Sequence, residues 1–232
     1  MLPREDLLKR ADNRDVIARA IDLAEQAVKT WEVSISDFLS PPELVDIQSC
    51  FQGLADIISL SWGGYPQAER QRLGFARSEL PLLKEQVEVA AISISGNFLF
   101  DSATHRDFLG SLLGTGLVRE KVGDIIVLGE RGAQAVVMPE IVPFLETSLT
   151  QVRSVPVQVR PISLDELKIR EPKKKEMTTV EASMRLDAIA SAGFGMSRSK
   201  MSDFINRGDV RVNWKSTTTP SHALQTDRKS VV

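Results

Sequence analysis

Cysteine is nearly absent from this 232-residue sequence, and the single Cys50 can form neither an internal disulfide nor a cysteine-based zinc site. It sits in an apolar run, where a buried thiol is expected, and such cysteine usage suits a reducing compartment. Histidine is almost as scarce. His105 stands alone in the body of the chain, and His222 lies in a Thr/Ser-rich tail without other ligand types beside it, so no metal site is expected. No stretch of about 18 apolar residues occurs, so no membrane insertion is expected. The first residues, MLPREDLLKRADNRD, are charged from the fourth position onward, unlike a signal peptide, and the expected location is cytoplasmic.

Glycine-rich phosphate loops are missing as well. There is no Gly-x-Gly-x-x-Gly beside a strand and no Walker loop, and Gly114-Thr115-Gly116 runs into charged residues rather than a helix. No cofactor is expected. His105-Arg106-Asp107 superficially matches a kinase catalytic loop, but the Asn, metal-binding and Gly-rich segments that would complete it do not follow. Thr104 with Asp107 reads instead as an Asp-bearing capping box. Aromatics make up only 6% of the chain, and no Arg/Lys-Gly-Phe-Gly-Phe segment offers base-stacking rings. Catalytic residues are therefore expected to be none.

What is present is a division of charge. From Pro172 to Val232 there are 11 Lys and Arg against 6 Asp and Glu, a net of +5; the whole-chain totals of 29 and 31 leave 18 and 25 for residues 1–171, a net of −7. A basic end on an acidic body directs polyanions to one end of the protein. With 42% apolar residues there is material for more than one core. The Pro-interrupted stretch 169–179, with Lys173, Lys174 and Lys175, reads as a tether that could add nonspecific phosphate contacts. The expected divisions are residues 1–85, 86–168, the linker 169–179, and 180–232.

The last division reads as two short helices and a strand. Leu186, Ile189 and Ala190 give one apolar face to a helix beginning near Ser183 and stopping at Gly193. Ser197 supplies an N-cap for a second helix with Met201, Phe204 and Ile205 on its buried face, ending at Gly208. Val210, Val212 and Trp214 then alternate with Arg211, Asn213 and Lys215, the period of a half-buried strand. Arg198 and Lys200 fall in the second helix's first turn, where the unpaired N–H groups and positive dipole end favour anions. Each cation there costs roughly 0.3–1 kcal/mol unless an anion binds. A phosphate would reverse that sign. Arg207 either complements the dipole at the helix end or contacts phosphate.

Arg185-Leu186-Asp187, Ser197-Arg198-Ser199, Ile205, Gly208, Val210 and Val212-Asn213 together resemble the S4 RNA-binding domain. The resemblance implies a small module for structured RNA, with Arg185, Ser197, Arg198, Lys200 and Arg207 as contacts; Arg211, on the strand's polar face, is counted with them. The family continues into a further strand that this tail is not expected to form, which would leave an incomplete sheet with an open edge.

In the body, Glu5 to Thr30 has the periodicity of one long helix, Ser40-Pro41-Pro42-Glu43 opens another, and strands are expected at 56–62 and 73–76 across the Gly63-Gly64-Tyr65-Pro66 bend. That bend could turn backbone N–H groups toward a phosphate, beside Glu69, Arg70 and Arg72. From Val87 the order is strand, helix, strand, strand, helix, strand: 87–95, 104–113, 124–128, 133–138, 139–149 and 152–160. The expected class is α+β: an N-terminal α/β segment, a ferredoxin-like βαββαβ middle domain, and the small helix–helix–strand module.

Asp37-Phe38-Leu39-Ser40-Pro41-Pro42, Gly63-Gly64-Tyr65-Pro66 with Ala68-Glu69-Arg70, and His105-Arg106-Asp107-Phe108-Leu109-Gly110 through Arg119-Glu120-Lys121-Val122-Gly123-Asp124 resemble the YlmH-type S4-domain proteins. Cyanobacterial and plastid members of that family carry the name photosystem II S4 domain protein. The resemblance implies a noncatalytic protein of translation or ribosome-associated quality control. Its partners would be ribosomal or transfer RNA on the large ribosomal subunit, without DNA specificity, and its location would be the plastid stroma if a transit peptide has been removed. Arg106, Arg119 and Lys121 stand as candidate secondary RNA contacts. The competing readings are a scaffold or assembly factor, including a photosystem II-related one, that holds a protein on its acidic body, and an RNA-modifying enzyme acting with a diffusible cofactor.

Overall fold

The computed structural model describes residues 2–169, 178–212, 214–224 and 230–231, and the chain divides into two units, Met1–Arg170 and Glu171–Val232. The expected helix from Glu5 to Thr30 is two helices, α1 (Arg4–Arg10) and α2 (Arg14–Thr30). The break has a tertiary cause that periodicity does not carry. The buried Asp46 carboxylate accepts the backbone N–H groups of Asp12 and Asn13 at 2.9–3.1 Å, and Asn13 caps α2 by accepting from Val16 at 3.3 Å.

β1 (Ser34–Ile35), α3 (Pro41–Phe51), β2 (Ile57–Trp62) and β3 (Arg72–Arg77) complete this first part. Ser40 donates from both its backbone nitrogen and its hydroxyl to Glu43, at 2.7 and 2.6 Å, and Pro41 and Pro42 occupy the first turn, where no helical N–H is required. The strands form an antiparallel sheet in the order β1-β3-β2. Ile17, Ile21, Ala24, Ile47, Phe51 and Phe75 fill the space between it and the helices, with Cys50 among them.

β4 (Ala90–Ser95), α4 (His105–Gly114), β5 (Val122–Val127), β6 (Gly132–Val137) and α5 (Val142–Ser148) follow, then a small hairpin of β7 (Gln151–Val152) and β8 (Val155–Pro156), and β9 (Gln158–Ile162). The antiparallel sheet order β5-β6-β4-β9 is that of a ferredoxin-like βαββαβ fold. The single strand expected over 152–160 is divided because the chain turns at Arg153, with φ of 55°, and is clasped there by Asp101, which accepts from Arg153 Nε at 2.8 Å. Ile92, Ile94, Phe98, Phe108, Leu112 and Leu145 pack between the sheet and its two helices.

The sheet's other face is covered at β6. Phe38, Val136 and Met138 form a second small core with Tyr65, Val89 and Leu167. Gln134 reaches the passing chain, donating to the Glu166 carbonyl at 2.9 Å and accepting from the Lys168 N–H at 2.7 Å. Every residue of β6 is buried. A central strand enclosed on both sides offers no surface for stacked bases, in keeping with the missing aromatic segment.

Asp124 ties the first part to the sheet. Its carboxylate accepts from the Tyr65 hydroxyl at 2.7 Å and from the N–H groups of Glu69 and Arg70 at 2.7 and 3.0 Å. The N–H groups after the Gly-Gly bend, which could have met a phosphate, meet this internal carboxylate. Burial, and then the bond to Asp124, push the Tyr65 hydroxyl well above its ordinary pKa. Arg70 donates to the carbonyls of Val122 and Phe38, and the buried Arg72 to those of Ser36 and Glu88.

The C-terminal unit contains α6 (Leu186–Phe194), α7 (Arg198–Asn206), β10 (Arg211–Val212), β11 (Lys215–Ser216) and β12 (Ser230–Val231). α6 starts three residues later than its periodicity suggests, after Arg185, and ends one residue beyond Gly193 with Gly195 in the left-handed region. Leu186, Ala190, Met201, Ile205, Val210 and Val212 form its core. The expected continuous strand through Trp214 is a tight hairpin, with Trp214 at φ of 68° in the turn. The sheet also differs from the incomplete one expected: β12 pairs antiparallel with β10, Arg211 opposite Val231 and Val212 opposite Ser230, so β10 is covered on both sides. Carbonyls of the returning chain direct this path, since Leu186 and Asp187 donate to His222 and Pro220, and Leu224 donates to Met184. Among the described residues no helix is long and apolar enough to cross a membrane.

Asp46→Ala should remove the charged acceptor of the Asp12 and Asn13 N–H groups and destabilise the first unit by about 1–3 kcal/mol. Urea unfolding followed by circular dichroism measures the loss, with the fold retained in the absence of denaturant.

Candidate nucleic-acid interface

The geometry of the C-terminal unit begins with Asp187. It lies in the first turn of α6, with its side chain only 7% exposed, yet it remains ionised because two cations converge on it. Arg185 donates in bidentate fashion, Nε to one carboxylate oxygen at 3.0 Å and a terminal nitrogen to the other at 2.9 Å. Arg198 donates to the first of those oxygens at 3.2 Å. The Arg185 hydrogen bonds, with those of Arg198, hold the carboxyl at a pKa of about 2 against the opposing effect of burial.

The two arginine side chains stay 43% and 53% exposed while Asp187 fixes their guanidinium groups. Fixing a guanidinium before binding reduces the rotamer entropy lost when it meets an anion. Arg198 is also the first residue of α7. The Ser197 hydroxyl accepts from the Lys200 N–H at 3.3 Å, and no acidic residue stands in the first turn. The N–H groups of Arg198 and Ser199 precede the reach of the helical ladder. Lys200, exposed, adds a second cation there.

The start of α6 is different. Its first two N–H groups donate to the carbonyls of His222 and Pro220, at 2.8 and 3.0 Å, so the chain itself occupies that end. Among the described residues, nothing but its own Ser197 cap occupies the start of α7, which is open to an external anion.

The other cations singled out in the sequence have varied settings. Arg207 pairs with Asp209 at 3.1 Å and lies over the Phe204 ring at 4.8 Å, while 61% of its side chain stays exposed. Arg211 is exposed on β10, opposite Ser216 and Val231. In the first unit, Arg106 is exposed in the first turn of α4, whose Thr104 donates from nitrogen and hydroxyl to Asp107 at 2.8 and 2.7 Å. Arg119 turns inward to the carbonyls of Val122 and Gly123, and burial, reinforced by neighbouring Arg70, lowers its pKa to about 10. Lys121 is shared between Asp37 at 3.0 Å and Glu140 at 3.6 Å. Lys173, Lys174 and Lys175 lie outside the described residues.

The structure thus brings Arg185, Ser197, Arg198 and Lys200 together around one buried carboxylate and one helix start. Sequence reasoning misses the residue that joins them. The available signal is an acid two positions after an arginine at a helix boundary, where the first-turn dipole favours the acid. Among the described residues no group of three or more His, Cys, Asp or Glu side chains is placed to hold a metal ion.

Three family models match in succession along the chain: the N-terminal region of YlmH over residues 12–80, a putative RNA-binding domain in YlmH over 83–166, and the S4 domain over 184–228. The chain is 32% identical over 215 residues to the ribosome-associated protein quality control protein P2 of Bacillus subtilis (strain 168), covering 93% of this chain and 83% of that protein. A solved structure, the cell division protein ylmH from Streptococcus pneumoniae, shares the fold with a TM-score of 0.56 at 17% identity, over 67% of this chain and 94% of that one.

Because the Asp187 carboxyl has a pKa below its ordinary value of 3.8, it contributes stability that is complete above that value and lost as pH falls toward about 2. Thermal melts of the full chain between pH 5 and about 2 should therefore show a fall in stability that is smaller in Asp187→Asn, which has no carboxyl to protonate.

Proposed function

The chain belongs to the YlmH family, and on that premise we propose that it is a noncatalytic RNA-binding protein that recognises structured RNA, ribosomal or transfer RNA, in ribosome-associated quality control. The single observation that carries this reading is the clamp of Arg185 and Arg198 on Asp187 beside the acid-free start of α7. It presents two oriented guanidinium groups, a lysine and unpaired backbone N–H groups to one anion, a combination suited to phosphate oxygens. Arg207 and Arg211 extend positive charge over the same module. The name of the Bacillus relative supports the ribosome as the place of action, and the large subunit is the proposed surface.

Recognition by shape and phosphate follows from the inventory of groups. The described module has three rings: Phe204 is partly buried in its core and carries Arg207, Phe194 is 45% exposed at the end of α6, and Trp214 is half-buried in the hairpin turn. The ferredoxin-like sheet, which stacks bases in other RNA-recognition domains, is covered on both faces at its central strand β6. Folded RNA read through its backbone fits these groups better than single strands read through their bases. The acidic first unit limits nonspecific retention on RNA.

Two measurements bear on this reading. Filter binding of the full chain to ribosomal and transfer RNA at several salt concentrations should show affinity falling with salt. Arg198→Ala with Lys200→Ala should weaken it and flatten the log–log slope by about 0.7–0.9 for each phosphate no longer neutralised. Sedimentation with separated ribosomal subunits should place the wild type, and not the double variant, with the large subunit. Unchanged affinity in the double variant rejects the assignment.

Asp187→Asn separates a clamp from a simple charge effect. The substitution makes the module one charge more positive, so electrostatics alone would tighten RNA binding. Loss of the clamp should instead weaken it several-fold, measured in the same titration, with Arg185 and Arg198 still present but no longer oriented.

A further inference from the structure

The acidic first unit has a surface feature that RNA recognition does not use. The end of β2, the bend at 64–66, residues 84–89 and the turn at Leu164–Asp165 line a groove of about 700 Å³. Its apolar side is formed by Trp62, Tyr65 and Leu164, with Pro66 and Pro139 at its edges. The Tyr65 hydroxyl is engaged by Asp124, which fixes the ring.

Three exposed carboxylates, Glu85, Glu88 and Asp165, complete the lining. Among the described residues their one cationic companion in the groove is Lys84, 3.9 Å from Glu85. Arg72 lies behind Glu88, but it is buried and its guanidinium is committed to backbone carbonyls. The ammonium of Lys84 stands 5.3 Å from the centre of the Trp62 ring. The protein's own cation therefore already samples the chemistry that the groove accepts: an alkylammonium or guanidinium over an indole face, with carboxylates around it.

We propose that this groove docks an extended cationic segment of a partner protein, with an Arg or Lys over Trp62 and neighbouring proline or aliphatic groups against Tyr65 and Leu164. A rim of three carboxylates opposes a phosphate backbone, so RNA is not the occupant. An aromatic and proline-lined trough suits an extended peptide, because its rings and pyrrolidines pack against flat apolar groups at low entropic cost. The net charge of −7 on residues 1–171 draws a basic partner toward this unit. The molecule then carries two recognition surfaces of opposite sign, a basic one for RNA and an acidic one for protein. This assignment stands independently of the RNA reading.

Fluorescence anisotropy of the full chain with a labelled (Arg-Pro-Leu)4 peptide tests it, with (Glu-Pro-Leu)4 as the counter-probe. The arginine peptide should bind saturably and the glutamate peptide should not. The combined change Glu85→Lys, Glu88→Lys and Asp165→Lys should weaken binding at least tenfold, whereas the same charge change at the exposed Glu5, Glu32 and Asp56 should alter it less than twofold. Lys84→Ala, which removes the internal competitor, should tighten binding several-fold. The proposal is overturned if the arginine peptide does not bind, if both triple changes weaken it equally, if Lys84→Ala has no effect, or if RNA oligonucleotides crosslink to Tyr65. Because Arg198→Ala with Lys200→Ala should leave peptide binding unchanged, failure here is distinguishable from failure of the RNA reading.

Discussion

One carboxylate organises the C-terminal unit. Asp187 is almost wholly enclosed, and a buried carboxylate without partners would be protonated or would unfold its surroundings. Arg185 and Arg198 prevent that, and in doing so they are themselves brought together from the starts of two successive helices. The same three side chains thus stabilise the packing of α6 on α7 and display two oriented cations. A surface ion pair would contribute little, because both partners would keep their full hydration. Here the carboxylate has lost water and both cations retain it, so the geometry is fixed without removing the positive charge from solvent.

The first unit follows a comparable logic with the opposite result. Asp124 gathers a tyrosine hydroxyl and two backbone N–H groups, and Arg70, Arg72 and Arg119 direct their donors to carbonyls. These cations bind internal backbone, and Asp124 with Arg70 fastens the N-terminal part to the ferredoxin-like domain. Phe38 sits where the two meet, against Gly123, whose missing Cβ leaves room for the ring: an added Cβ would lie 2.8 Å from it. Phe38 and its neighbours thereby enclose the outer face of β6, a central strand of that sheet.

Much of the architecture is legible in the sequence because it rests on local signals. The βαββαβ order, the Ser40–Glu43 and Thr104–Asp107 caps and the N-cap at Ser197 depend on periodicity and on residues three apart. The errors share a different origin. The split at Asp12–Asn13 is made by Asp46, 34 and 33 residues away, and the third strand of the small sheet is made by a tail whose pairing partner lies nearly twenty residues earlier. The cations of the candidate site are legible, since Arg198 and Lys200 oppose the local dipole. Their common anchor is not, because Asp187 at the start of a helix is locally well placed and so gives no signal of misfit. Arg119 and Lys121 show the converse: a charge in the sequence does not reveal whether its side chain turns outward or inward.

The carbonyls of Pro220 and His222 close the start of α6, and Asp187 sits on the N–H group that Pro220 receives. During synthesis that closure has no partner until the chain has grown some thirty-five residues beyond Arg185. A nascent polypeptide whose tail is still within the exit tunnel carries the arginines without the frame that aims them. The frame around the start of α6 is therefore complete only once residues 220–222 have emerged and folded back.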